Sequence, residues 1–277
     1  MKILIMDGYN LIYRAKHSGF GRKRNKDDES DRSIVFSFTR SVRALINQHA
    51  PDKVYFVLEG RPAARLQLAD DYKANRVYEP DPGFGVQRRL IKDLVRRWPG
   101  MEVVRHPEFE CDDVANAIAQ RHAADGDSVI IVSSDTDFYQ SVGGAVRLYN
   151  PVKKQFVEPP VQPDEYVAWK ALRGDAGDNI EGFRGIGNVR AAKLVEDPAQ
   201  LAAFLKEDVE RQQKFDHNTK MIAFEPVDIS TCETVFTFND DKSMSDFRAR
   251  LYELGFFSIT SDKAWRKFSE PIANVRC

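Results

Sequence analysis

Four short hydrophobic runs recur through the first half of the chain, and amphipathic segments separate them. The runs are Lys2–Met6, Lys53–Leu58, Glu102–Arg105 and Ser128–Ser133. They are rich in Val and Ile and too short for helices, so they read as strands. Between them, Ser33–His49 carries Val35, Phe38, Val42, Leu45 and Ile46 at helical spacing. Val86–Trp98 gathers Leu90, Ile91, Leu94 and Val95 on one side, and Asp112–Ala124 is an Ala-rich helix. Strands alternating with helices need crossover connections. The expectation is therefore an α/β fold with a mostly parallel sheet flanked by helices. Parallel strands all end at one edge, which is where such sheets bind ligands.

At that edge the pattern becomes chemical, because each run leads into acids. The first ends at Asp7 and the second at Glu59. The third leads to Glu110, Asp112 and Asp113, and the fourth to Asp135 and Asp137. Gly174-Asp175-Ala176-Gly177-Asp178-Asn179 adds Asp175 and Asp178. Each acid alone has an ordinary explanation. Asp-Gly after a strand is a turn signal, and acids at a helix start complement its dipole. Four strands delivering carboxylates to one edge is a stronger statement. Such a cluster repels itself unless cations fill it. Hard oxygen ligands select Mg²⁺ or Mn²⁺, and so many acids exceed the needs of one ion. A two-metal site for attack on phosphorus is expected.

The rest of the composition sets bounds. The chain has 277 residues, 42% hydrophobic and 30% charged, enough for a sizeable core in one or two domains. No apolar run approaches the roughly 20 residues of a membrane span, and the short apolar start at Lys2–Met6 is too brief for a signal peptide. Three scattered cysteines, Cys111, Cys232 and Cys277, form no zinc pattern and suggest a reducing compartment. Cys111 reads as a packing residue. Net charge is −1, yet residues 61–105 hold ten Lys/Arg against six Asp/Glu, and residues 110–178 hold six against twelve. A cationic segment beside an anionic pocket suits a polyanionic substrate.

Ser18–Arg32 is polar and reads as a mobile loop. Val146–Asn150 and Gln155–Glu158 read as a hairpin. From Pro163 the pattern turns helical: Asp164–Arg173, Val189–Val195, Ala199–Lys206, Arg211–Phe224 and Asp246–Leu254. A boundary near residue 160 divides an α/β part, 1–160, from a helical part, 161–277. Two further segments complement the acids. Asp71-Tyr72-Lys73-Ala74-Asn75-Arg76 offers cations for phosphate oxygens and, in Tyr72, a ring for stacking on a base. Gly182-Phe183-Arg184-Gly185-Ile186-Gly187-Asn188-Val189-Arg190 reads as a tight hairpin before a helix. Gly185 and Gly187 let backbone N–H groups approach a phosphate, Arg190 and Lys193 follow, and Ile186 plugs the core. Such contacts position a strand without reading its sequence.

These residues resemble the 5′ nucleases: flap endonucleases, bacteriophage 5′–3′ exonucleases and the 5′-nuclease domain of bacterial DNA polymerase I. The matching pieces are Met-Asp-Gly-Tyr-Asn-Leu at 6–11, Tyr-Lys-Ala-Asn-Arg at 72–76, Glu-Cys-Asp-Asp at 110–113, Ser-Asp-Thr-Asp-Phe at 134–138 and the run from Gly174 to Gly187. They stand in family order over roughly residues 1–195, and length is closest to the phage members. The resemblance implies a PIN-like nuclease core followed by a helix–two-turn–helix at 174–196. It implies that Asp7, Glu59, Glu110, Asp112, Asp113, Asp135, Asp137, Asp175 and Asp178 hold two or more divalent ions. Lys73 and Arg76 would act on the scissile phosphate, with Tyr72 near the terminal bases. Arg14 and Lys16 would contact phosphate, residues 72–98 would include an arch over the 5′ strand, and a potassium ion would sit at the hairpin carbonyls. The implied enzyme is a 5′–3′ exonuclease or flap endonuclease of replication or repair. It would be a monomer in a bacterial or phage-infected cytoplasm, without a membrane, and near a polymerase or single-strand-binding protein. A related metal-dependent ribonuclease and a non-catalytic DNA-binding protein are the alternatives. Two positions depart from the family: Glu59, where Asp is usual, and Val189, where some members have Lys.

Overall fold

The computed structural model describes residues 1–17, 25–76, 79–234 and 243–275. Residues 18–24 of the expected loop, Val77 and Tyr78 of the expected arch, and Cys277 lie outside them. Five strands run parallel: β1 (Lys2–Asp7), β2 (Lys53–Leu58), β3 (Met101–Arg105), β4 (Ser128–Val132) and β5 (Val146–Asn150). Two antiparallel edges close the sheet, β6 (Gln155–Val157) beside β5 and β9 (Glu233–Thr234) beside β3. The spatial order is β6-β5-β4-β1-β2-β3-β9. From β1 the chain fills one side with β2 and β3, then crosses to β4 on the other. The order therefore reverses between β1 and β4, the position where open sheets leave a crevice. Register brings the strand ends level there, with Met6 beside Val132 and Asp7 beside Val57.

Alternation along each strand feeds two cores. Leu4, Met6, Val54 and Phe56 face one side, with α1 (Gly8–His17), α2 (Ser33–His49) and, after a short α3 (Ala63–Leu68), α4 (Pro82–Arg96). Ile3, Ile5, Tyr55 and Val57 face α5 (Cys111–Ala124). Phe38 meets Phe56 edge-on at 5.8 Å between ring centres. Each such fully buried side chain contributes about 1.5–3 kcal/mol. Asp81 caps α4 by accepting from the Phe84 N–H at 2.9 Å, with Pro82 at the first helical position.

After β6 the chain forms α6 (Tyr166–Arg173), a minimal hairpin of β7 (Gly174–Asp175) and β8 (Ile180–Glu181), then α7 (Asn188–Glu196), α8 (Pro198–Lys206) and α9 (Val209–Ile222). Tyr166, Trp169, Leu172, Ile186, Ala191, Leu194 and Val195 make its own core, and Ile186 is buried as its pattern implied. Asp175 ends β7, and Asp178 stands on the turn that follows, its N–H bonded to the Asp175 carbonyl at 3.3 Å. Gly174 takes φ +82, and a Cβ on Gly182 would lie 2.2 Å from the Arg173 carbonyl, so two backbones meet where no side chain fits.

The remaining helices, α10 (Met244–Glu253), α11 (Phe257–Thr260) and α12 (Asp262–Ala273), return to the first core. Phe247, Leu251, Phe256, Phe268 and Ile272 pack there, Phe247 lying 4.8 Å from Trp98 between ring centres. Arg250 bonds Asp93 at 2.9 Å, and Arg43 donates to the Phe268 carbonyl within α12 at 3.2 Å. These contacts cross the expected division into 1–160 and 161–277. Residues 243–275 cover the apolar flank of α2 and α4 and belong structurally with the α/β part.

Candidate active site

Asp7 ends β1 at the switch point and is buried. It accepts hydrogen bonds from the Asn10 N–H at 3.0 Å and the Ser133 hydroxyl at 2.8 Å, which ties the ends of β1 and β4 together. Burial raises its pKa, and those bonds offset only part of the rise. Glu59 follows β2. Burial, and then the charges of Glu110 and Asp7, push it up to about 7. Asp112, in the first turn of α5, is raised well above the carboxylate range by burial and by Asp113 and Glu110. Asp135 stands solvent-exposed beyond β4, yet the walls of the cleft and the charge of Asp7 raise it too. These four acids and Glu110 line one cavity of about 880 Å³, together with Lys16, Lys73 and Arg76.

A second group lies beside it. The carboxylates of Asp137, Asp175 and Asp178 come within 4.8 Å of one another, as do those of Glu110, Asp112 and Asp113. Asp112 and Lys170 line a small neighbouring cavity with this second group. Burial and the charges of Asp135 and Asp175 raise Asp137 to about 6, against the pull of Lys170. Lys170 is 3% exposed, bridges Asp137 and Asp175, and bonds Asp175 at 2.5 Å. Its ammonium neutralises two of the three carboxylates of this group. Lys170→Met is expected to destabilise the metal-free protein by about 3–5 kcal/mol and so lower its melting temperature, because two acids lose their partner. Added Mg²⁺ should then raise the melting temperature more than in the parent protein. Equal Mg²⁺ shifts would show that Lys170 does not compete for the cation position.

The cations are positioned as deliberately as the acids. Lys73 follows α3 in a left-handed turn, φ +58, a strained conformation for a non-glycine residue. Its ammonium bonds Glu110 at 2.5 Å and lies 3.6 Å from Asp178. Arg76 bonds Asp178 at 2.5 Å. Burial works to raise Glu110, but Lys73 and Arg65 overcome it and the carboxyl is held below its usual range.

Two of the expected residues already have partners inside the protein. Tyr72 is 7% exposed, and its hydroxyl donates to Glu110 at 2.9 Å, with Asp178 at 3.2 Å. Its ring has no free face for a base in this arrangement. Asp113 is fully buried and already saturated. One oxygen accepts from Arg65 at 2.8 Å and the Glu225 N–H at 2.9 Å, the other from Arg65 at 2.8 Å and the Glu110 N–H at 3.3 Å. With about four lone-pair sites in use, a metal would have to displace one of these bonds to reach it.

The remaining expected residues fall elsewhere. Arg14 lines a different cavity. Gly185, Gly187, Arg190 and Lys193 are exposed around the start of α7 and line neither acidic cavity as described. Arg65 and Lys170 were missed. The available signal was a cation inside an apolar helical stretch: Ala-Ala-Arg-Leu-Gln-Leu for Arg65 and Val-Ala-Trp-Lys-Ala-Leu for Lys170.

Fold and site together define a parallel α/β protein with an acidic, metal-capable cleft at its strand ends. A family model for the 5′–3′ exonuclease N-terminal, resolvase-like domain matches residues 2–168. The chain belongs to that 5′–3′ exonuclease family. The thermostable DNA polymerase I of Thermus aquaticus is 30% identical over 213 residues, 74% of this chain and 25% of the polymerase. DNA polymerase I of Mycobacterium tuberculosis is 28% identical over 215 residues, 73% of this chain and 24% of the polymerase. The chain thus spans about a quarter of the length of these relatives. Among solved structures, the T5 5′-exonuclease with bound divalent zinc ions matches with TM-score 0.66 at 18% identity, over 99% of both chains. The catalytic core of Rad2 in complex with DNA substrate gives 0.59 at 14% identity, over 100% of this chain and 92% of that one. At such identities these matches speak to the fold.

Proposed function

We propose that this protein is a divalent-metal-dependent, structure-specific 5′ nuclease that hydrolyses DNA phosphodiester bonds at a 5′ end or flap junction. The observation that carries the reading is the acidic cavity at the β1/β4 switch point, into which Lys73 and Arg76 also reach. The donors fit a hard divalent ion: all are carboxylate oxygens, and several are crowded enough to resist ionisation without a cation. Asp7, Glu59, Glu110, Asp112 and Asp135 would hold one Mg²⁺ or Mn²⁺, and Asp137, Asp175 and Asp178 a second. When bound, such ions supply Lewis-acid stabilisation of phosphoryl charge and a hydroxide source near neutral pH.

The chain's own groups do the rest. Lys73, held by Glu110, would pass its ammonium to a non-bridging phosphate oxygen as substrate enters. Arg76 would do the same from Asp178. Tyr72 orients Glu110. Gly185, Gly187, Arg190 and Lys193 would grip duplex backbone, with K⁺ at the hairpin carbonyls, and Lys16 would steer the strand into the cleft. Such an enzyme would act as a monomer in a bacterial or phage-infected cytoplasm, beside a polymerase or single-strand-binding protein.

The test is digestion of a 5′-labelled flap duplex and of single-stranded RNA, in Mg²⁺ and in EDTA. Mg²⁺-dependent short 5′ DNA products are expected; cleavage of RNA alone would favour a ribonuclease, and no cleavage a binding protein. Lys73→Ala should slow single-turnover cleavage about 100-fold or more while weakening DNA binding only a few-fold. Equal losses would mean that Lys73 only binds.

A further inference from the structure

A second cavity, of about 470 Å³, opens beside α1. Arg14 and Lys16 are two residues apart on α1, so they leave it about 200° apart. Lys16 faces the acidic cavity, where it bonds Asp81 at 3.1 Å. Arg14 faces the second cavity with Arg40, Ser37 and Ser41 of α2 and Lys154 of the β5–β6 turn. Gln48 and Tyr149 complete its polar wall, hydrogen-bonded to each other at 2.9 Å. No Asp or Glu lines it as described, and none of the three cations has a carboxylate partner among the described residues. Arg14 is half-buried, and desolvation draws its pKa below the ordinary arginine value. Arg14 carries a desolvation cost that an entering anion would reduce, and the exposed Arg40, stacked on Phe36, and Lys154 add positive charge to the same cavity.

From this geometry we infer a phosphate subsite, formed by Arg14, Arg40 and Lys154 with the hydroxyls of Ser37 and Ser41, that takes the backbone of the uncleaved DNA strand. This rests on the proposed nuclease function. The body of α1, about 10–12 Å across with its side chains, separates the two cavities. That span is close to the ~12 Å major groove, across which phosphates of opposite strands face each other. A duplex straddling α1 would present one strand to each cavity. A single strand cannot, which makes the subsite a reader of duplex character rather than of sequence.

The test combines Arg40→Glu with Lys154→Glu. Affinities are measured with Ca²⁺ in place of Mg²⁺ for a 5′-flap duplex and for its flap strand alone, across a salt series. The duplex should bind at least 10-fold more weakly, with a salt slope shallower by about two, while the single strand changes less than twofold. A control carrying Lys263→Glu and Arg266→Glu, exposed on α12, has the same net charge and should lose less than threefold. Unchanged duplex affinity, an equal loss for the single strand, or an equal loss in the control overturns the subsite. A parent protein that fails to cut the flap in Mg²⁺ speaks instead against the nuclease reading.

Discussion

Asp135→Ala is expected to reduce Mg²⁺-dependent cleavage of a 5′-flap duplex by about 10³-fold, roughly 4 kcal/mol in the barrier, with the fold intact. The two halves of that statement come from different facts. Asp135 lies at the switch point and shares its cavity with Asp7, Glu59, Glu110 and Asp112. It is exposed, and the bond its side chain accepts comes from the Asp137 N–H at 3.0 Å, itself at the surface. Losing it orphans no buried donor and relieves repulsion with Asp7, so melting temperature should change little. Cleavage has no comparable compensation, because the remaining acids cannot restore the missing ligand. Single-turnover rates and thermal melts of one preparation check both parts. Cleavage within tenfold of the parent protein would remove Asp135 from the chemistry, and from there the two-cluster account.

Much of this was legible in the chain because the relevant signals are local. The strands Lys53–Leu58 and Ser128–Val132 and the helix at Ser33–His49 follow from periodicity and β-branched content, and their alternation fixes a parallel sheet. The strand ends then carry Asp7, Glu59, Asp112 and Asp135 to one cavity without further assumptions. What stayed hidden depends on distant partners. Asp113 looks like its neighbour Asp112 in sequence; only the approach of Arg65 and of the Glu225 N–H separates their roles. Tyr72 reads as an exposed aromatic beside two cations until α5 brings Glu110 to its hydroxyl. The docking of α10–α12 onto α2 and α4 is invisible because apolar residues on an amphipathic helix reveal that it has a partner, not which one.

Arg65→Met should cost about 3–5 kcal/mol of stability, the usual price of leaving a buried carboxylate without its partner, and lower the melting temperature by roughly 10 °C. Arg65 is 3% exposed and all five of its N–H donors are used. Nε bonds the Met221 carbonyl at 3.1 Å, one terminal nitrogen bonds Glu110 at 2.7 Å and Asp113 at 2.8 Å, and the other bonds Asp113 at 2.8 Å and the Ala223 carbonyl at 3.0 Å. One side chain of α3 thereby joins the start of α5 to the end of α9, next to the turn that carries Lys73. Arg65→Lys should rescue little, since an ammonium offers three donors and no planar fork. The decisive comparison is the pair Arg65→Met with Asp113→Leu. Removing both charges leaves no buried carboxylate orphaned, so the double variant should be more stable than Asp113-bearing Arg65→Met. Strictly additive losses would mean that the two side chains act independently, and a single variant melting within about 2 °C of the parent protein would show that the clasp carries no stability.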